Sequence, residues 1–138
     1  MKHVLIAALA ALIVTAGATA AVQKGGGSLH ATLTGAAESP KGDPNGHGTA
    51  EVKISGRKVC WEIHATGVTK LLAAHIHKGR PGASGPVVVP FGKNFAAKGC
   101  TTTTAALAAA IAASPGSYYV NVHNAKYPGG ALRGQLHS

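Results

Sequence analysis

Acidic residues are scarce in this sequence. Glu38, Asp43, Glu51 and Glu62 stand against 13 lysines and arginines in 138 residues. Hydrolysis by a carboxylate pair needs two placed acids, and Glu38 and Asp43 fall in loop-like sequence. Asp43 is the single aspartate and no nucleophile elbow is present, which argues against a Ser-His-Asp triad. Aromatic residues are only 4%, the basic residues are dispersed, and no recognition motif is found. The positive charge therefore does not describe a nucleic-acid binder. Phosphate-loop and dinucleotide fingerprints are missing. The string GRPGASGP (79–86) has no helix after it and reads as a loop, where Lys78 and Arg80 offer a contact for an anion.

Long apolar runs are also lacking. The run 4–14 is too short to span a bilayer. It follows Lys2 and His3 and precedes Ala18-Thr19-Ala20, the three-part layout of a secretory signal peptide. The expected organisation is a signal peptide over 1–20, a flexible lead-in over 21–27 (AVQKGGG), and one domain over 28–138. No transmembrane segment would remain after cleavage, and the protein would be secreted or periplasmic. Beyond residue 20 the chain keeps 12 of its 13 basic residues and all 4 acids, a net charge of +8. Cys60 and Cys100 are the two cysteines. In an oxidising compartment they most simply form a disulfide. Free or metal-binding thiols are the alternative. Closing a loop of about 40 residues contributes roughly 3–4 kcal/mol in the chain-entropy model.

What is present is a series of short alternating runs broken by Gly, Pro, Asn and Asp. Strands are expected over 28–35, 49–55, 58–67, 71–78, 87–91, 118–124 and 132–137. Residues 105–113 (AALAAAIAA) form the one convincing helix, capped by Thr104 and ended by Pro115-Gly116. Seven or eight strands with one short Ala-rich helix predict an all-β fold, an antiparallel Greek-key barrel or sandwich.

Histidine is abundant, with 8 in the chain. His75 and His77 flank Ile76, so on a strand both rings leave the face that carries Leu72, Ala74 and Ile76. Val120 and Val122 likewise place Tyr119, Asn121 and His123 opposite the core. Three imidazoles projecting from a rigid sheet are suitable ligands for copper or zinc. His64, which faces away from Trp61 with Glu62, is a candidate fourth ligand. His30, His47 and His137 read as surface residues. If Leu136 pairs with Val120, then Arg133 lies across from His123 and Gln135 across from Asn121. A guanidinium there would draw small anions toward a metal, and Arg133 is the candidate catalytic residue.

Several segments together resemble the CHRD domain, the small module described as a repeat in chordin. They are ATLTGAAESP (31–40), GDPNGHGTAEV (42–52), VCWEI (59–63), AAHIHKG (73–79), GPVVVPF (85–91) and YYVNVHNAKYPGGALRGQL (118–136). The resemblance implies an all-β extracytoplasmic domain. It carries over His75, His77, Asn121, His123, Gly129, Gly130, Arg133 and Gly134 as family-pattern positions, but no settled activity. A looser resemblance links the chain to copper/zinc superoxide dismutases, which are Greek-key barrels with a His-x-His strand, a later histidine, a disulfide and a nearby arginine. Their zinc site uses an aspartate, whereas this chain has no acid after Glu62. A copper-only site is the version that fits.

Two functions of different class follow. One is a secreted metal-binding domain, copper favoured and zinc possible, with superoxide dismutase-like redox activity toward a small anion or oxidant. The other is a metal-free binding or adhesion module whose partner is an anionic cell-surface component. The sequence does not fix an oligomeric state.

Overall fold

The computed structural model describes residues 27–138. The expected signal peptide and most of the expected lead-in lie outside the described residues. Among those described, the alternating runs form eight strands: β1 (Ser28–Thr34), β2 (His47–Ser55), β3 (Lys58–Thr66), β4 (Leu71–Lys78), β5 (Val87–Pro90), β6 (Lys98–Thr102), β7 (Tyr118–Asn124) and β8 (Leu132–Gln135). The helix α1 covers Ala105–Ala113, and Thr104 Oγ1 accepts the Leu107 N–H at its start. Ala108 and Ile111 are its buried residues.

The strands make one antiparallel sheet in the order β5-β4-β7-β8-β1-β2-β3-β6, curled into a nearly closed barrel. Residues 91–97 run across the gap between the two edges. Phe95 N donates to Leu72 O on β4 at 2.9 Å, and Ile63 N on β3 donates to Ala97 O at 2.7 Å. Trp61 closes the same gap from inside. Its ring stacks on Phe91 at 4.5 Å, and its Nε1–H donates to Ala96 O at 2.9 Å. That bond satisfies the indole donor and lets an otherwise apolar ring fill the barrel. Val52, Val59, Ile76, Val120, Val122 and Leu132 complete the core as alternate residues of their strands.

β6 is the strand that alternation does not announce, because KGCTT lacks an apolar face. Its place is set by pairing with β3, where Cys60 lies directly opposite Cys100 and the two form a disulfide. Leu72 departs from the expected apolar face. A register irregularity between Leu71 and Ala73 interrupts the alternation there, and Leu72 is 48% exposed.

The β7–β8 register differs by two residues from the expected one. Asn121 pairs with Arg133, and Tyr119 with Gln135; Arg133 is therefore not across from His123. Side-chain alternation rejects a slip of one residue, which would mix the faces, but it does not see a slip of two. The turn decides instead: Ala131 N donates to Val122 O at 2.7 Å, and Leu136 N to Tyr118 O at 3.0 Å.

Candidate metal centre

Strands β4 and β7 are adjacent, which brings two distant stretches of chain together. His75 pairs with Asn121, His77 with Tyr119, and Ala73 with His123. The three histidines therefore share the outer face of this wall. Each offers a ring nitrogen, and these atoms lie within 4.8 Å of one another. Ring centroids are 4.9 Å apart for His75–His123, 5.6 Å for His75–His77 and 6.4 Å for His77–His123. An ion about 2 Å from one nitrogen of each ring keeps ring centres within about 6.5 Å, so all three pairs can share it.

The protons on the rings can be placed from their partners. His123 Nδ1 is 3.0 Å from Pro128 O, and His77 Nδ1 is 2.8 Å from Gly85 O. A carbonyl only accepts, so in the neutral rings both Nδ1 atoms carry the hydrogen and both Nε2 atoms keep a lone pair. His75 Nδ1 lies 3.0 Å from His123 Nε2. His77 Nε2 is buried and has no hydrogen-bond partner. A lone pair taken from water and left unsatisfied costs free energy unless something electrophilic meets it.

Glu38 and Asn121 extend the polar network. Asn121 lies beside the Glu38 carboxylate and favours its charged form, while its Oδ1 stands 3.0 Å from His123 Nε2. An amide oxygen and an imine nitrogen are both acceptors, so a cation between them relieves their repulsion. Asn121 Oδ1 is thus an oxygen placed to join the three nitrogens. His64 is not brought there. It lies on β3, exposed, with Nε2 2.8 Å from Glu62 Oε1.

Loop 79–86 covers this face of the sheet, and Arg133 holds it down. The guanidinium is 1% exposed and donates to Ala83 O at 2.8 Å and Arg80 O at 2.9 Å. It also lies 3.4 Å from the centre of the Tyr119 ring, which in turn stacks on His77 at 4.9 Å. Tyr119 Oη accepts the Gly85 N–H. Gly85 is needed where it is, because a Cβ there would run into the Lys78 carbonyl. Gly130, at a φ of 138°, similarly lets loop 125–131 pass against the Glu38 carboxylate. A buried arginine with these partners offers no open face to a solute anion. The exposed cations beside the loop are Lys78 and Arg80.

Glu38 is the residue that sequence reasoning passed over, since ESP reads as loop. It is buried, its Oε1 has no partner, and burial raises its pKa against the opposing pull of Asn121 and Arg133. The available signal was its position in a family-like segment of a chain with 4 acids.

Burial also lowers the pKa of His75 to about 4, helped by the neighbouring His123 and His77. His123 is lowered for the same leading reason. In the metal-free protein an unfolded His75 takes a proton near its ordinary value of 6.5, and the folded one does not until about 4. The unfolded state then binds more protons between these values, so stability falls as pH falls through that window. Urea unfolding of metal-free protein should show this decline, and His75→Phe should flatten it. A decline of the same size in the variant would contradict the assignment.

The architecture and the cluster define a β-barrel protein with a three-imidazole centre built on one wall. The family model for the CHRD domain matches residues 29–136, and the chain belongs to the CHRD-domain family. No curated protein and no solved structure matches it significantly. The disulfide fits an oxidising compartment, and no helix among the described residues is long and apolar enough to cross a membrane.

Proposed function

We propose that this CHRD domain is an extracytoplasmic metal-binding protein that takes one copper ion through His75, His77 and His123. The buried, unpartnered Nε2 of His77 is the observation that carries the reading, since it has a lone pair and no donor. The donor set is nitrogen-rich. For such sites copper binds more tightly than zinc or the other divalent first-row metals. Bound copper would supply one-electron redox chemistry toward a small oxidant such as superoxide.

The residues of the chain have separable tasks. Gly85 O and Pro128 O fix the tautomers of His77 and His123. Asn121 presents an oxygen to the same point, beside the Glu38 carboxylate. Arg133 positions loop 79–86 and does not meet solvent. Attraction of an anionic oxidant then falls to the other six cations after Glu62, namely Lys70, Lys78, Arg80, Lys93, Lys98 and Lys126, which have no acid among them.

Titration of the purified protein with copper tests this. One tightly held ion per chain is expected, followed by superoxide consumption above that of free copper. Binding without turnover would reduce the reading to metal storage or delivery. Failure to bind copper tightly would leave a metal-free extracellular module.

A further inference from the structure

One side chain reaches His77 by two routes. Tyr119 is its cross-strand neighbour, and the two rings stack with centroids 4.9 Å apart and planes 9° from parallel. Tyr119 Oη also accepts the Gly85 N–H at 3.2 Å. The carbonyl of the same Gly85 takes the hydrogen of His77 Nδ1 at 2.8 Å. Tyrosine, glycine and histidine thus close a circle of contacts.

Tyr119 is itself fixed. In the sheet β4 and β8 flank β7, so His77 approaches the ring from one side and Arg133 from the other, with the guanidinium carbon 3.4 Å from the ring centre. Gly79 packs against the ring edge, where an added Cβ would stand 3.0 Å from Tyr119 Cε1. The residue is buried.

We propose that Tyr119 is a positioning residue of the metal centre, holding His77 in the plane and the tautomer that present Nε2 to the ion. The proposal rests on the three-histidine reading above. The face and the hydroxyl of Tyr119 have separate tasks. Stacking sets the plane of the imidazole but is blind to which edge carries the hydrogen. The Gly85 carbonyl makes that choice, because it can only accept. Glycine has the most freely turning backbone, so a bond to its N–H limits where its carbonyl can point. The hydroxyl therefore aims the carbonyl, and the carbonyl keeps the lone pair on the buried, unpartnered Nε2. His123 takes its anchor from Pro128 O and does not depend on this circle.

Nitrogen NMR spectra of the imidazoles, recorded on the metal-free protein at about pH 8.5, above the range where histidine ordinarily charges, test the proposal. Wild type should show His77 with its hydrogen on Nδ1 alone. Tyr119→Phe keeps the stacked ring and removes the hydroxyl. It should show both tautomers of His77, leave His123 unchanged, and bind copper more than tenfold more weakly. Ser84→Ala cuts a different tether of the same loop, the bond from Ser84 Oγ to Ser39 O at 2.9 Å, and should change neither the tautomer nor the affinity. If wild type binds no copper while Tyr119→Phe still mixes the tautomers, the hold of Tyr119 on His77 is upheld and the metal reading alone falls. A single His77 tautomer in Tyr119→Phe, or an equal change in Ser84→Ala, overturns the proposal.

Discussion

Replacing His123 by alanine should weaken copper binding at the three-histidine centre more than about 100-fold, since even an outer partner of a metal ligand is worth about 10–100-fold. His123 Nε2 is 3.0 Å from both His75 Nδ1 and Asn121 Oδ1, so it occupies the middle of the cluster. Its loss leaves two nitrogens whose ring centroids are 5.6 Å apart and an amide oxygen without its nearest companion. Competition against a chelator of known affinity measures the change. His64→Ala is the matched control, with an exposed ring bonded to Glu62 and no effect expected. Equal affinity in His123→Ala and wild type would contradict the three-histidine centre.

The second large effect is on stability. Arg133→Ala should cost about 3–5 kcal/mol, the usual cost of removing one partner from a buried set of charges. The side chain is fully enclosed, bonds two loop carbonyls and packs on Tyr119. Removing it leaves those carbonyls without donors and leaves the Glu38 carboxylate without its compensating charge. Arg133→Lys should recover only part, because an ammonium cannot reach two carbonyls and lie flat on a ring together. Urea unfolding of both variants provides the numbers. Glu38→Gln in the Arg133→Ala background should cost less than in wild type, because the uncompensated carboxylate is then already gone. A loss below 1 kcal/mol in Arg133→Ala would show that the loop is held by other contacts.

Much of the barrel could be read from periodicity. The apolar alternation of Leu29, Ala31 and Leu33, or of Val59, Trp61 and Ile63, is a direct record of which face is buried, and those residues are buried. The same logic placed His75, His77 and His123 on one side, and the structure adds their convergence. Three things escaped for identifiable reasons. β6 is held by its neighbour and its disulfide, so its own residues carry little pattern. The β7–β8 register hid in the two-residue ambiguity of a strand. Glu38 and Arg133 meet under loops, and no rule of strand alternation describes what a loop covers. Arg133 was expected at the surface because it points away from the barrel core. The outer face of this wall is itself an interior, where Asn121 and Tyr119 are also buried.

The ring protons of His77 and His123 are anchored by peptide oxygens, those of Gly85 and Pro128. An anchor made of main chain cannot be deleted by exchanging a side chain. The orientation of these two ligands therefore depends on the path of the connecting segments, and a residue gained or lost in either one is the lesion most able to unset them. The length of those two connections should consequently be under tighter restraint than most of the side chains they carry.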